Sequence, residues 1–563
     1  KMSSADSNPI KSLPSAEGYP LDLRPPRWDS IAVKYSNLIF GSRVVSGVLK
    51  KYHRSRVSMD ALQDDVFEYN CKLPSRPNDD PIYIAALQSV RREFVPQIPI
   101  IPLTIGAASK VSTVPKDKSP GLPWKLMGFK TKEDVFADDD AMRQIRKDWI
   151  LIGRGYHVRL PDCLVYARAQ ICDPSTNKVR ATWGYPTGVF IEEARFVYPY
   201  LDFLKNRRDD YPLAYGVEIG KGGMGYVDEM FHRAGSGVKA VMMDWRRFDK
   251  QIPAWLVRDA FALLKECFRT DVVVDVEGKV WPVNSHITNA RWSKMVQYFI
   301  NTPFRMPDGS RYMKSHGVPS GSCFTNIIDS IINAVVTRYC VYQTTGSFPE
   351  YDLYMGDDSV FVTRGVVNLD DIASVAEETF GFTLNVKKSY VTSERTNVQF
   401  LGYYNDSGYP IRDQDFLIAS FCLPERVQEP DPVFTATRAV GQMWSTLNGI
   451  AAQKWLLIIQ GIENEYALSP QWFVDHMAEC PNSLKFLRLH GLDANSFPQP
   501  GNFDVVDAPM RPPFRPFRRN PVRRVTDVKD LYYQYLDDPI RVDDWIGLER
   551  DDIPPDIEDD VLC

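Results

Sequence analysis

Residues 351–360, Tyr-Asp-Leu-Tyr-Met-Gly-Asp-Asp-Ser-Val, constrain this chain more than any other segment. Asp357 and Asp358 are adjacent carboxylates directly after a glycine, with Leu353 and Tyr354 before them and Val360, Phe361 and Val362 after. Two short β-prone runs around a Gly-Asp turn predict a hairpin with both acids at its exposed tip. Paired carboxylates repel unless a cation sits between them, so such a tip suits Mg²⁺. Gly-Asp-Asp is also an ordinary surface turn, so its meaning depends on what the rest of the chain supplies.

Residues 238–249, Val-Lys-Ala-Val-Met-Met-Asp-Trp-Arg-Arg-Phe-Asp, supply further acids. The run from Ala240 to Met243 predicts a buried strand ending at Asp244. Asp249 follows where the chain turns toward a helix with Pro253 near its start. Asp244 beside Asp357 on a neighbouring strand would make a site for two divalent ions. Alternatively Asp244 caps a helix and Asp249 is solvated. Between these segments, residues 316–333 run His-Gly-Val-Pro-Ser-Gly-Ser-Cys-Phe-Thr-Asn-Ile-Ile-Asp-Ser-Ile-Ile-Asn. A loop of small residues leads into an amphipathic helix with Ile327, Ile328, Ile331 and Ile332 on its core side. Such a loop lets the backbone approach a ligand, and Ser320 and Thr325 offer hydroxyls. A plain helix-capping loop has the same composition.

The ordered set Asp-x4-Asp, Ser-Gly-x3-Thr and Gly-Asp-Asp resembles motifs A, B and C of viral RNA-dependent RNA polymerases. Residues 118–124, Lys-Ser-Pro-Gly-Leu-Pro-Trp, resemble motif G, a loop along the template path. Residues 178–183, Lys-Val-Arg-Ala-Thr-Trp, resemble motif F, the basic finger over the triphosphate. Residues 377–389 resemble motif D, and Phe400-Leu-Gly-Tyr403 resembles motif E, which grips the primer strand. Each match is modest alone, but the seven in the family's order are highly specific. The Ser-Gly-Ser and Gly-Asp-Asp-Ser wording and the chain length are similar to polymerases of small segmented double-stranded RNA viruses, partitiviruses first and picobirnaviruses second.

The resemblance implies an α+β fold, a closed right hand whose palm is an antiparallel sheet backed by helices. It implies that Asp244 and Asp357 hold two Mg²⁺ (Mn²⁺ as an alternative) with Asp358 assisting, and that Asp249 recognises the ribose 2′-hydroxyl. Ser320, Gly321 and Thr325 would line the nucleotide and template site. Lys178 and Arg180 would neutralise the triphosphate. Lys387 or Lys388 would protonate the leaving pyrophosphate. Ser119, Gly121, Pro123, Phe400, Leu401 and Gly402 would touch template or primer. One departure stands out: Asp329 occupies the position four residues after the motif B threonine where many positive-strand polymerases carry Asn, with Asn326 and Asn333 nearby. Two acids this close, Asp249 and Asp329, would share a proton or be bridged.

A chain of 563 residues is too long for one compact core. The expected divisions are 1–95, an N-terminal arm bridging fingers and thumb; 96–237, fingers; 238–265, palm; 266–312, a fingers insertion; 313–404, palm; 405–497, a helical thumb; and 498–563, a tail that is first basic, then acidic. The basic part of the tail is expected to hold RNA or lie on the acidic body, and its acidic end to mimic RNA and block the channel or dock to capsid protein, with a disordered solvated tail as the alternative. A net charge of −5 argues against a uniformly basic nucleic-acid binder but allows a local basic channel. Nine cysteines without zinc spacing read as reduced thiols in a cytosolic compartment. The polar N-terminus is unlike a signal peptide, and no apolar run reaches a membrane span.

The resemblance implies RNA template and product, NTPs and viral capsid protein as partners, no membrane, one monomer per active site, and the host cytoplasm, inside the virion, as location. A reverse-transcriptase-like polymerase and an inactive RNA-binding scaffold are the alternatives. The intact acids argue against the scaffold. Asp249, in place of a bulky aromatic gate, argues against the reverse transcriptase. Gly220, Gly222 and Gly225 fit a dinucleotide-binding fingerprint, but the strand before them is poor and the helix after them short, so no such unit is expected.

Overall fold

The computed structural model describes residues 9–207, 211–219, 222–426, 429–446, 449–480 and 527–542. At its centre lies a four-stranded sheet in the order Tyr351–Met355, Asp358–Thr363, Lys239–Met242, Tyr390–Thr392, with every neighbouring pair antiparallel. Both faces of this sheet are covered. Val241, Met243, Tyr354 and Phe361 face the main core, while Ala240, Met242, Leu353, Val360 and Val362 face a second core beneath. Double coverage explains why these strands read as continuous apolar runs rather than alternating ones.

The helix Thr325–Thr345 backs the sheet, and the helix Pro81–Phe94 packs behind it. Arg338, on the first of these helices and 3% exposed, donates to Asp352 at 2.8 Å, to Glu93 at 2.6 Å and to Ser89 at 3.0 Å. This buried cation joins both helices to the strand that leads into the Gly-Asp-Asp turn.

Above the central sheet stands a five-stranded sheet in the order Ile10–Leu13, Arg311–Lys314, Pro303–Arg305, Cys163–Ala169, Val179–Gly184. Residues of the 266–312 segment thus build the middle of this sheet, and the N-terminal strand closes its edge. After that strand the chain crosses the molecule. Asp29 caps the helix Ser30–Phe40 and accepts from Thr435 at 2.6 Å and Arg438 at 2.7 Å. Ile31, Tyr35, Val45 and Val48 join a third core with the helices Gln414–Cys422, Pro432–Trp444, Gly449–Glu465 and Trp472–Glu479. Residues 10–48 therefore fasten the upper sheet to the helical cluster at the other side of the cleft.

Most of residues 498–563, including the basic stretch, lies outside the described residues. The part that is described is no solvated tail. The helix Val528–Asp537 packs on Pro81–Phe94, burying Leu531 and Tyr535, with Ile540 buried just beyond, and Arg91 bonds Asp538. Three apolar side chains spaced along an acidic stretch suffice to dock it, and Arg91, which also grips Glu266 at 2.8 Å, neutralises the charge. Among the described residues no strand lies between the helix Thr187–Asn206 and Gly222, and Lys239–Met242 lies in an antiparallel sheet, so the glycine fingerprint forms no dinucleotide unit. Among the described residues no helix is long and apolar enough to cross a membrane.

Candidate active site

Met355 pairs with Asp358, leaving Gly356 and Asp357 as a two-residue turn. Gly356 has φ +63°, a conformation that favours glycine and reverses the chain tightly. Asp357 and Asp358 keep solvent contact at this tip, but the tip lies down in a cleft whose walls strip much of the water around their carboxyls. The adjoining strand Lys239–Met242 pairs with Asp358–Thr363, so Asp244, two residues past its end, emerges at the same edge of the sheet. Arg247 then turns left-handed (φ 53°) and starts the short helix Phe248–Gln251, which carries Asp249. The helix Thr325–Thr345 brings Asp329 against Asp249, and the two carboxyls hydrogen-bond.

The turn is held from behind by Ser330 and by Asn333, which the sequence marks only as a neighbour of Asp329. Gly356 N donates to Ser330 Oγ at 2.8 Å. Asn333 Nδ2 donates to the carbonyls of Gly356 (3.1 Å) and Asp358 (3.3 Å), and its Oδ1 accepts from Trp245 Nε1 (3.1 Å) and Thr337 Oγ1 (3.1 Å). Asn333 thereby ties all three acid-bearing segments together. Its spacing of four residues from Asp329 puts both on one helix face, which was the available signal. Asp244 N donates to Ser389 Oγ at 2.9 Å and Asn385 N to the Asp244 carbonyl at 2.8 Å, fixing the segment of the two lysines beside the first acid.

Loss of surrounding water raises the acids' pKa values. Asp357 is pushed up to about 7, first by burial in the cleft, then by Asp358 and Asp249, with Arg180 pulling it back. Asp358 is pushed up to about 6 by burial and by Asp244. Asp244 is raised by burial against the pull of Lys388, Lys178 and Arg180. Asp329 goes furthest, well above its ordinary value, through burial and then the negative charge of Asp249. Asp329 therefore keeps its proton and donates it to Asp249. That answers the departure from Asn: a neutral carboxyl supplies the donor an amide would have supplied.

The strand Val179–Gly184 stands over these acids, with Lys178 and Arg180 exposed. Its end meets the Ser320 loop. Trp183 N donates to Ser320 Oγ at 3.2 Å, and a Cβ on Gly321 would lie 1.7 Å from the Trp183 carbonyl oxygen. Thr325 Oγ1 bonds the Pro319 carbonyl, closing the loop on itself. Glu193, buried on the helix Thr187–Asn206, grips the same loop from outside: it accepts from Ser322 Oγ at 2.7 Å and Cys323 N at 3.1 Å. Burial pushes Glu193 up to about 8. Nothing in its sequence neighbourhood marks it.

Not every expected contact residue reaches the cleft. Phe400 is 2% exposed and belongs to the core beneath the sheet, so its side chain cannot touch RNA. Leu401 and Gly402, both at positive φ (54° and 80°), form the turn of that hairpin, with Gly402 exposed and Leu401 half-buried against the same core. Asp329 is likewise buried and acts only through Asp249. Lys387 and Lys388 are both exposed, and Lys388 is the strongest of the cations that pull on Asp244. Ser119 and Gly121 lie beside the strands Cys163–Ala169 and Val179–Gly184, with Pro123 just beyond them in the same loop. Gly121 (φ +65°) presses on the Tyr185 carbonyl, where a Cβ would come within 2.4 Å, and Ser119 Oγ meets Tyr166 OH at 3.0 Å.

Among the described residues no three His, Cys, Asp or Glu side chains close into a ready-made metal cage. The donor set nonetheless fits a hard divalent cation. Asp244, Asp357 and Asp358 are oxygen-only ligands, and their mutual repulsion, expressed in the raised pKa values, is what such an ion relieves.

A family model described as viral RNA-dependent RNA polymerase matches residues 31–408, more than half of the 563. The chain belongs to that family. Members of the family generally use divalent metal ions. The chain is 26% identical over 307 residues to the RNA-directed RNA polymerase of White clover cryptic virus 1, covering 50% of this chain and 48% of that one. The corresponding enzyme of Cryptosporidium parvum virus 1 is 25% identical over 359 residues, 59% of this chain and 63% of that one. The chain thus spans about half the length of the curated relatives it matches. Among solved structures, the RNA-dependent RNA polymerase of a human picobirnavirus superposes with a TM-score of 0.61 at 15% identity, covering 85% of this chain and 88% of that one. Its insertion-loop deletion mutant gives 0.58 at 13% identity, covering 89% and 93%. The expected right-hand fold is borne out by these neighbours.

Proposed function

We propose that this chain is a template-directed RNA polymerase that joins ribonucleotides to an RNA 3′-hydroxyl and releases pyrophosphate, replicating and transcribing the genome of a double-stranded RNA virus. The observation that carries this reading is the convergence of Asp244, Asp357 and Asp358 at one edge of one sheet, facing Arg180. Those three acids would hold two Mg²⁺, or Mn²⁺. Such ions supply activation of the hydroxyl and charge stabilisation of the phosphoryl transfer.

Arg180 and Lys178 hold the triphosphate and offset its growing charge. Asp249, fixed by the proton on Asp329, accepts a hydrogen bond from the ribose 2′-hydroxyl, which a deoxyribonucleotide cannot donate. Lys388 gives a proton to the leaving pyrophosphate. The loop at Ser320 and Gly321 and the turn at Leu401 and Gly402 guide template and primer. Capsid protein is the proposed partner, with the host cytoplasm and the virion as locations and one chain per active site.

Incorporation of labelled NTP on a single-stranded RNA template, with Mg²⁺ and beside Asp357→Ala, tests the reading. Product that disappears in the variant is expected. Product that persists in it refutes the assignment of the acids.

A further inference from the structure

The strand Val179–Gly184, which carries Arg180, is the last of the upper sheet, so its outer N–H groups have no strand partner. Side chains take them instead. Ser320 Oγ accepts from Trp183 N at 3.2 Å, and Asp65 Oδ2 accepts from Ala181 N at 2.7 Å. The second bond is charge-assisted and lies one residue from Arg180.

Asp65 belongs to the helix Met59–Val66, capped by Ser58. Leu62 and Val66 of that helix, and Tyr69 just after it, are buried in the main core, which makes the helix a firm base. Glu68 follows three residues after Asp65 and lies on the same side. Lys250 Nζ donates to both, at 2.6 Å to Asp65 Oδ1 and at 2.9 Å to Glu68 Oε2. Lys250 follows Asp249 in the helix Phe248–Gln251. One carboxylate, 13% exposed, thus bonds with one oxygen to the strand of Arg180 and with the other to the helix of Asp249. Arg180 in turn lies near enough to act on the charges of Asp249 and Asp357. Capping a free strand edge needs one oxygen; the second is what joins the two elements.

We propose that Asp65 is a positioning residue for the incoming nucleotide: it holds Arg180, at the triphosphate, at a fixed distance from Asp249, at the sugar. It touches no substrate and acts through Arg180. The inference rests on the reading of Arg180 as the triphosphate holder, and the test separates the two.

Equilibrium dialysis of labelled NTP against the full chain, with Mg²⁺, an RNA template and a primer ending in a 3′-deoxynucleotide, gives a nucleotide Kd without turnover. Asp65→Ala should raise that Kd by about tenfold and leave the Kd for the primed RNA unchanged. Asp65→Asn keeps an acceptor for Ala181 N and should come back to within about threefold of the wild type. In an Arg180→Ala background, Asp65→Ala should add nothing, because it has lost the group it acts through. If Asp65→Ala does not fold, Asp65→Leu, of similar shape but with no acceptor, repeats the test. An unchanged nucleotide Kd in Asp65→Ala while Arg180→Ala binds weakly overturns the inference and leaves the triphosphate reading standing. An Asp65→Ala effect that persists undiminished beside Arg180→Ala, or that weakens RNA binding equally, overturns it too, since Asp65 then acts on the fold at large. Wild-type nucleotide binding in Arg180→Ala overturns the triphosphate reading and this inference with it.

Discussion

A methyl group on Gly321 is the sharpest perturbation the site offers. It would stand 1.7 Å from the Trp183 carbonyl oxygen and 2.8 Å from its carbon, both backbone atoms that cannot rotate away. The loop and the strand Val179–Gly184 must then part by about 1 Å or more, a displacement that costs on the order of 10²-fold in rate when it reaches reacting groups. It does reach them. Ser320 is bonded to Trp183 N, and Arg180 lies three residues up the same strand, facing Asp357. Gly321→Ala should therefore lower kcat/KM for NTP incorporation by about 10²-fold, while destabilising the fold by only about 1–3 kcal/mol.

Steady-state incorporation on a primed RNA, with a thermal melt alongside, reads both. Gly47→Ala is the control. It lies on the exposed face of the helix Ser42–Lys51 with nothing within 4 Å, and should gain about 0.5–1 kcal/mol with no change in rate. Near wild-type kcat/KM in Gly321→Ala would refute the idea that the contact between loop and strand positions the triphosphate.

Three further outcomes follow from the geometry. Asp357 and Asp358 titrate higher when folded (about 7 and about 6) than the ordinary 3.8, so the folded state binds more protons and stability without divalent ions falls as pH rises from about 4 to about 7. A thermal midpoint that drops from pH 5 to pH 8, and that Mg²⁺ raises more at pH 8, is expected; a midpoint that rises with pH, or an equal Mg²⁺ effect, contradicts it. Arg338→Met takes one buried cation away from Asp352 and Glu93 and should cost about 3–5 kcal/mol in denaturant unfolding; a cost under about 1 kcal/mol would show that the buried ion cluster does not brace the turn. Asp329→Asn keeps a donor to Asp249 and should retain the preference for NTP over dNTP within about threefold, whereas Asp329→Ala should lose about tenfold of it. Equal losses in the two variants would show that the shared hydrogen bond is irrelevant to sugar choice.

The hairpin, the three acids and the loop at Ser320 are legible in the sequence because each depends on local chemistry: a glycine turn, a buried apolar run, a patch of small residues. The groups that brace them are not. Asn333, Ser330, Trp245 and Glu193 act through bonds to segments far along the chain, and nothing adjacent to them marks those partners. Phe400 misleads because strand alternation decides which side chain faces RNA and which fills the core, and the register of Gln399–Phe400 against Tyr403–Asp406 is set only on folding. The docked helix Val528–Asp537 is hidden by its acidic neighbours, which outnumber the three side chains that hold it. Lys387 and Lys388 are adjacent and chemically equal, so only their placement relative to Asp244 separates them.

The most direct measurement is the sequence of the RNA made from a defined single-stranded template by the wild-type chain and by Asp357→Ala. A polymerase centred on Asp244, Asp357 and Asp358 gives a complementary copy with the wild type and none with the variant. A product unrelated to the template, or a faithful copy from the variant, contradicts it.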